Sequence, residues 1–275
     1  MKKKIIVALT LIACTQSILA YADTATTTTA SSTNATVSAP KKDYKLDATK
    51  EAAPAADSAA KKDTSWLSGF SGNFDLTSNY VFRGVSNSEN LPAAQGGITY
   101  TFPIGLYLNV WGSNVKFTGT DATVELDTII GWRGGIGDNF KYDINVDRYN
   151  YPGARELNYN ELNILVNYRF IQASIGYSAN AYNFHKTGIY YNGGINYDIP
   201  PQYIFNWQGM NFQALLGHYS LPRAAGNSYN DYNIALSKAL NDTYTIMVQW
   251  VSTNGRQHMS PYDGSQIVGT FTANF

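Results

Sequence analysis

The chain has 275 residues, with 20 Lys and Arg against 20 Asp and Glu, so its formal net charge is zero. A neutral chain without a Lys/Arg-rich stretch gives no electrostatic basis for binding nucleic acid. A single cysteine excludes an intramolecular disulfide, whereas 21 Tyr and 23 Gly with only 15% charged residues are typical of a membrane-embedded sheet.

The N-terminus has the pattern of a secretory signal peptide. A lysine-rich start precedes an apolar run, and Ala20-Tyr21-Ala22 forms a small-x-small cleavage site. We expect residues 1–22 to be removed and the mature chain to begin at Asp23. The residues around Cys14 also resemble a lipoprotein box, in which Cys14 would be lipidated, and this alternative stays open. No later stretch approaches the roughly 18 consecutive apolar residues that a spanning helix needs.

Residues 23–65 are rich in Thr, Ala, Ser, Lys and Pro and contain one aromatic residue, Tyr44. This composition buries too little apolar surface to offset the entropy of ordering, so it predicts a disordered periplasmic segment. Two interpretations stay open: a tether that contacts peptidoglycan, or a solvated tail without a binding role.

From residue 66 onward, segments of about ten residues alternate apolar and polar side chains and are separated by turn formers. The pattern predicts an all-β fold, an antiparallel transmembrane β-barrel of about twelve strands over residues 66–275. The predicted strands cover residues 72–83, 93–102, 106–117, 122–133, 140–149, 159–170, 171–182, 189–197, 211–219, 229–239, 243–251 and 265–275.

Two positions interrupt the regular alternation. Val115 and Phe117 lie one position out of phase with Val110, which predicts a bulge at Gly112-Ser113. The stretch 159–182 is about twice the length that a membrane strand needs, so we predict a tight hairpin at Phe170-Ile171.

The last nine residues, 267–275, alternate apolar and polar and end on an aromatic residue. Ile267, Phe271 and Phe275 share one face, as expected for a lipid-facing strand. We predict that this strand closes the barrel by pairing with the first one, near residues 72–83. Phe271 and Phe275 are then the expected signal for the barrel-assembly machinery.

An even strand count returns both termini to the periplasm. The predicted extracellular loops are residues 84–92, 118–121, 150–156, 183–188, 220–228 and 254–264, and the periplasmic turns include 103–105, 134–139 and 241–242. Short turns on one side and longer loops on the other are typical of outer-membrane barrels. The aromatic-rich periplasmic connection 200–209 is an exception without a functional interpretation.

Most charged residues alternate with the apolar face and are therefore predicted to line the barrel interior. Acidic residues of the fourth to sixth strands would form a belt in the middle to outer half, above a basic ring near the periplasmic mouth. The acidic set is Glu125, Asp127, Asp143, Asp147 and Glu161; the basic set is Arg133, Lys141 and Arg169; Asp75, Arg83, Lys116, Asp198 and Asp231 are also predicted to point inward. Charges in a polar lumen tune which solutes pass.

The sequence offers little support for an enzyme or a metal site. The three histidines, His185, His218 and His258, fall near predicted extracellular ends. His218 and Ser220 share the lipid-facing parity and could serve a lipid hydrolase, but no motif supplies a third triad member. His258 and Asp263 lack the spacing of metal ligands. We therefore predict no catalytic residues, no metal and no cofactor.

Seven sequence blocks carry a resemblance to a known family: Tyr80-Val81-Phe82-Arg83-Gly84-Val85-Ser86, Ala94-Gln95-Gly96-Gly97, Gly105-Leu106-Tyr107, Trp111-Gly112-Ser113-Asn114-Val115, Glu125-Leu126-Asp127, Tyr151-Pro152-Gly153 and Asn158-Tyr159-Asn160-Glu161-Leu162. These blocks resemble the TorF family of porin-like bacterial outer-membrane proteins. The resemblance covers residues 69–275, leaves out the tail, and implies an outer-membrane barrel without any catalytic or cofactor residues.

Two functional hypotheses follow for an exported barrel in the bacterial outer membrane. In the first, the acidic belt lines an aqueous path for ions or small polar solutes. In the second, the charges pair across neighbouring strands and fill a structural, adhesion or receptor barrel. Twelve strands lie between filled 8-stranded barrels and open 16-stranded porins, so strand number does not discriminate between the two. The oligomeric state is not predicted.

Overall fold

Twelve antiparallel strands close into a barrel in the computed structural model, which describes residues 66–254 and 262–275. The wall strands are β1 (Phe70–Thr77), β4 (Ala93–Thr101), β5 (Leu106–Asn114), β6 (Val124–Ile136), β7 (Phe140–Asn150), β8 (Tyr159–Tyr168), β9 (Ile171–Ser178), β10 (Gly188–Asp198), β11 (Met210–Ser220), β12 (Tyr229–Ala239), β13 (Tyr244–Thr253) and β14 (Gln266–Asn274). Two further strands, β2 (Val81–Phe82) and β3 (Val85–Ser86), form a separate hairpin. The predicted all-β barrel is confirmed.

In the described part of the chain, helical structure is confined to single 3-10 turns. They span Trp66–Gly69, Arg155–Leu157, Ala181–Asn183, Pro201–Tyr203 and Arg223–Ala225. Within residues 66–254 and 262–275, no helix is long and apolar enough to cross a membrane. The predicted signal peptide (residues 1–22, with the Cys14 alternative) and the tail at residues 23–65 lie outside the described residues.

The barrel turns its apolar side chains outward. On β12, for example, Ile234 and Leu236 are each 46% exposed on the outer face, whereas Asp231 and Asn233 are buried inside. The outer faces of the other wall strands likewise carry exposed Ile, Leu, Val and aromatic side chains. Soluble monomers rarely expose so large a continuous apolar surface. A lipid bilayer would cover this surface in a transmembrane barrel.

The first and last wall strands pair and close the barrel. Phe74 pairs with Ala273 and Leu76 with Phe271. The Gly72 amide donates to the Phe275 carbonyl at 2.7 Å, and the Phe275 amide donates back at 2.9 Å. The predicted closing strand is therefore confirmed. Closure matters physically because it leaves no sheet edge with unpaired backbone groups in hydrocarbon.

The predicted hairpin between the sixth and seventh wall strands is also present. Tyr168 pairs with Ile171, so Arg169 and Phe170 form a two-residue turn. Arg169 adopts a left-handed backbone with φ of 55°. The turn lies one residue earlier than predicted, and no glycine marks it.

The predicted bulge at Gly112-Ser113 is wrong. Gly112 pairs in regular register with Gly96 on one side and with Leu126 on the other. The inward alternation of Trp111 continues through Val115 and Phe117, which are both buried. These two side chains are apolar because they join an apolar cluster inside the barrel, and not because the strand changes phase.

The first wall strand is shorter than predicted. It ends at Thr77. In the following segment, residues 78–92, the stretch 79–88 is buried inside the barrel and contains the β2–β3 hairpin, instead of lengthening the wall or forming an outward loop. The β-strand pattern of this segment is therefore confirmed, but the strands it forms pair with each other and not with the barrel wall. Val81 pairs with Ser86 and Phe82 with Val85. We call residues 78–92 the plug.

Candidate functional site

A tight turn forms the inner tip of the plug. Arg83 and Gly84 connect the paired residues Phe82 and Val85 with φ values of 45° and 82°. Positive φ at both central positions is the geometry of a type I′ turn, whose twist suits a two-residue β-hairpin. A Cβ at Gly84 would lie 2.5 Å from Thr253 Cγ2. Glycine is thus required there by backbone conformation and by lack of space.

The tip of the plug is tied to the wall by a buried ion pair. The Arg83 guanidinium donates to Glu161 on β8 through Nη2 at 2.6 Å and Nη1 at 3.0 Å. Both side chains are fully inaccessible to solvent. This bidentate geometry is the strong form of a charge-assisted hydrogen bond.

Aromatic rings surround the Arg83 guanidinium. Its central carbon lies 4.5 Å from the Phe82 ring, 4.2 Å from the Tyr190 ring and 4.5 Å from the Tyr219 ring. Desolvated cation–π contacts of this kind add to the stabilisation by Glu161. The cation is therefore held by the wall on several sides.

The plug and the adjoining wall form an apolar cluster at one end of the lumen. The cluster includes Tyr80, Phe82 and Val85 of the plug, and solvent hardly reaches any of its members. The wall and loop members are Ala93, Trp111, Val115, Phe117, Ala122, Tyr149, Tyr151, Ala154, Leu157, Tyr159, Ala181, Tyr182, Tyr190, Tyr219, Leu221, Ala225 and Tyr229. In this conformation the cluster fills that end of the lumen.

The predicted acidic residues lie inside the barrel. Tyrosine hydroxyls bond several of them: Tyr151 donates to Glu125 at 3.1 Å, and Tyr149 donates to Glu161 at 3.3 Å. The buried set comprises Asp75, Glu125, Asp127, Asp143, Asp147, Glu161 and Asp231. Their inward direction agrees with the alternation of the strands, while their role in solute selection stays a prediction.

Below the cluster, Arg133 and Asp143 form a second charged group. Arg133 Nε lies 3.8 Å from Asp143 Oδ2, and its guanidinium stacks 3.7 Å above the Tyr107 ring. The Tyr107 hydroxyl donates to Asp143 at 2.9 Å. Lys141, on the same strand as Asp143, is half-buried. The positive charge of the predicted basic ring is thus partly neutralised by the Asp143 carboxylate, which lies beside Arg133.

Two predicted lumen residues lie elsewhere. Arg169 is exposed in the β8–β9 turn, because that tight turn begins one residue after Tyr168 and takes Arg169 out of the wall. Lys116 follows β5 and has 59% of its side chain exposed, with Nζ 3.0 Å from Glu89 of the plug. Neither side chain lines the lumen.

Glu89 latches the plug to the loop after β5. It accepts hydrogen bonds from Lys116 and from the Thr118 hydroxyl. Burial by itself would raise the pKa of Glu89, but the bonds from Thr118 and Lys116 outweigh burial and lower the pKa below its usual value. The carboxylate is therefore charged at neutral pH, as the latch requires.

Away from the plug, the lumen also carries amides and hydroxyls. Asn109 donates to the Thr99 hydroxyl at 2.8 Å, and Asn211 bridges Asn196 and Asp198 at 2.8 Å each. These groups are polar but mostly neutral.

Sequence reasoning missed the plug and its tyrosine partners. The available signal was the Arg83-Gly84 pair between two short β-forming runs, which matches the chemistry of a two-residue hairpin. No local signal identifies Tyr190 and Tyr219 as neighbours of Arg83, because they approach it only when the barrel closes.

The histidine positions give no support to hydrolysis or metal binding. His218 lies on the outer wall, where its Nδ1 is 2.7 Å from Asn230 Oδ1 and its ring is 5.2 Å from Tyr191. Asp263 is buried, and its carbonyl accepts a bond from the Thr253 hydroxyl. His258 lies outside the described residues. Among the residues that are described, no group of His, Cys, Asp and Glu has the arrangement of a metal site.

The barrel is similar in fold to solved porins. The KdgM porin superposes with a TM-score of 0.50 at 9% identity, over 74% of this chain and 99% of that chain. The KdgM porin in complex with disordered oligogalacturonate has a TM-score of 0.46 at 9% identity, over 75% of this chain and 98% of that one. The NanC porin has a TM-score of 0.46 at 8% identity, with coverages of 75% and 98%. At such identities the likeness concerns the fold alone.

Comparison at the level of sequence identifies the family. No curated protein matches the chain. The resemblance to TorF proteins is not confirmed by name and stays a prediction. A family model covering residues 61–274 does match, and the chain therefore belongs to the family described as "Bacterial protein of unknown function (Gcw_chp)".

Proposed function

We propose that this protein is an outer-membrane channel for ions or small polar solutes, narrowed in the present conformation by the plug. One observation carries the proposal. The obstruction in the lumen consists of a loop hairpin and not of wall strands, so it can move without opening the barrel. Lids and loops of this kind commonly gate access to a site.

The interior charges favour cations over anions. Within the described part of the chain, buried carboxylates outnumber buried arginines in the barrel, which are Arg83 and Arg133. A ring of acidic side chains attracts cations and repels anions in a narrow pore. Asp75, Glu125, Asp127, Asp147 and Glu161 are the proposed selectivity residues, together with the Arg133–Lys141–Asp143 level.

A filled structural barrel is the competing function, and one observation favours it. The Arg83–Glu161 pair and the apolar cluster fill one end of the lumen with well-packed side chains, as in small barrels without conductance. A lipid hydrolase has no comparable support, because the hydrogen-bond partner of His218 is Asn230.

Planar-bilayer recording distinguishes the channel from the filled barrel. We would compare the refolded full chain with a variant in which residues 78–92 are replaced by a short Gly/Ser linker. A variant with residues 200–209 replaced in the same way is the control, since that loop lies at the opposite end of the barrel. We expect small or infrequent steps for the natural chain and the control, and steps several times larger without the plug.

The absence of conductance would contradict the channel hypothesis. If all three proteins are folded and none shows single-channel steps over a range of salts, the channel hypothesis is wrong and the filled barrel is favoured. The outer-membrane location, the contact with the barrel-assembly machinery and the tether to peptidoglycan through residues 23–65 belong to this proposal as predictions.

A further inference from the structure

We infer that the outer wall carries a binding site for the phosphorylated sugar headgroup of an outer-leaflet lipid. The site is a pocket of about 420 Å³ at the extracellular ends of β7, β8 and β9. Its polar lining includes Arg148, Arg155, Asn158, Asn160, Asn180 and Asn183. The inference rests on the proposed outer-membrane location, but not on conductance.

Strand register defines the level of this pocket in the membrane. Val146 pairs with Leu162, and Leu162 pairs with Tyr177, so these three side chains form one apolar row on the outer face. Arg148 pairs with Asn160 in the next outward-facing row toward the extracellular end. The wall thus changes from apolar to polar within one row, as expected at the boundary between acyl chains and headgroups.

The pocket has positive charge without a carboxylate partner. Arg148 donates from Nε to Asn150 at 3.1 Å and from Nη1 to Asn160 at 3.3 Å, both neutral oxygens. Arg155 is exposed, and neither arginine forms an ion pair with any residue in the described ranges. Glu161 contributes to the pocket wall, but its carboxylate is buried on the lumen side with Arg83.

Glu156, the carboxylate next to Arg155 in the chain, lies outside the pocket. It is exposed and is not part of the pocket lining. A basic pocket at the headgroup level of a membrane attracts phosphate groups, and arginine binds phosphate through paired N–H groups.

The remaining lining selects for a sugar lipid. Four asparagine side chains line the pocket and already share hydrogen bonds within the protein: Asn180 Nδ2 donates to Asn183 Oδ1 at 2.8 Å, and Asn183 Nδ2 donates to the Glu156 carbonyl at 3.0 Å. Their remaining N–H groups and oxygen lone pairs can serve the hydroxyl and amide groups of a sugar headgroup. The row of Val146, Leu162 and Tyr177 lies where acyl chains would run down the wall. Lipopolysaccharide supplies phosphate, sugar and acyl chains together, whereas a phospholipid lacks the sugar and free phosphate lacks both.

The test measures lipid binding to the refolded full chain in detergent. Deep-rough lipopolysaccharide is the probe, and its retention is followed by native mass spectrometry and by the midpoint of thermal unfolding. The double variant Arg148→Gln/Arg155→Gln should lose affinity by about tenfold or more. Arg223→Gln, which changes an exposed arginine in a different extracellular turn, should bind as the natural chain does.

Further arms identify the source of the phosphate. Phosphatidylglycerol and inorganic phosphate should bind weakly and should not displace lipopolysaccharide. Equal binding of phosphatidylglycerol, displacement by inorganic phosphate, or undiminished binding by the folded double variant would each overturn the inference. The single variant Arg155→Gln, in an exposed turn, provides the same test if the double variant fails to fold.

Failure of the lipid site is distinguishable from failure of the channel. Both arginines lie outside the lumen, so bilayer conductance of the double variant should equal that of the natural chain. Lipid binding without conductance would support the lipid site and contradict the channel. Conductance without lipid binding would support the channel and contradict the lipid site.

Discussion

Arg83 is a buried cation that needs a counter-charge. Its guanidinium is buried in the barrel, where an unpaired charge would be strongly unfavourable, and Glu161 is the carboxylate that neutralises it. A buried ion pair adds little stability relative to apolar residues, but removal of one partner leaves the other charge uncompensated. We therefore expect the ion pair to fix the position of the plug more than it adds to the net stability of the barrel.

We predict that Arg83→Gln lowers the free energy of unfolding by roughly 3–5 kcal/mol, because it leaves Glu161 buried without its cation. Urea unfolding of the refolded barrel measures the change. The double variant Arg83→Gln/Glu161→Gln should recover much of the loss, and Arg223→Gln serves as the exposed control. A single variant as stable as the natural chain would show that the ion pair does not hold the plug.

Gly84 provides a second test at residue scale, with Gly137 as a matched control. Both have positive φ, 82° and 58°, but a Cβ at Gly84 would lie 2.9 Å from Asp231 Cβ, whereas at Gly137 nothing lies within 4 Å. Gly84→Ala should therefore destabilise the barrel by about 1 kcal/mol or more beyond Gly137→Ala, which carries only the backbone cost. Thermal unfolding compares them, and equal losses would contradict the close contact at the plug tip.

At the scale of elements, the alternation of side chains predicts strands but not their partners. Residues 81–86 have β character, and the structure uses it in a hairpin inside the barrel and not in the wall. The same limit explains the wrong bulge after Val110. Apolar Val115 and Phe117 face inward, and their phase looks irregular only if every apolar residue is assumed to face lipid.

The closing strand yields a prediction about assembly. Phe275 exchanges two backbone hydrogen bonds with Gly72, and its ring lies against the same glycine. Deletion of Phe275 should reduce the folded, membrane-assembled fraction, as read from the heat-dependent shift of the folded band in gel electrophoresis. Phe275→Leu keeps the backbone bonds, so it separates strand pairing from recognition of the ring. Normal assembly of the truncated chain would contradict the predicted role of Phe275.

At the scale of the whole molecule, ion preference is expected to follow the summed charge of the lumen. Asp127 is buried in the interior, whereas Asp138 is exposed in the turn between β6 and β7. In the variant without the plug, Asp127→Asn should lower the preference for cations, which reversal potentials in a salt gradient measure. Asp138→Asn should leave the preference unchanged. An unaltered reversal potential for Asp127→Asn would remove Asp127 from the ion path.

The sequence by itself determined the class of fold, the strand count and the closing strand. Those properties follow from a period of two residues, which local side-chain order encodes directly. It also indicated which carboxylates point inward, because direction alternates along a strand.

Only the tertiary structure decided what occupies the lumen. Arg83 and Glu161 are 78 positions apart in the chain and meet only after the barrel closes. The tyrosines around them come from distant strands for the same reason. The alternation of side chains predicts that a residue faces inward, but it does not predict which residues it contacts inside the barrel. Those contacts distinguish a filled lumen from an aqueous path.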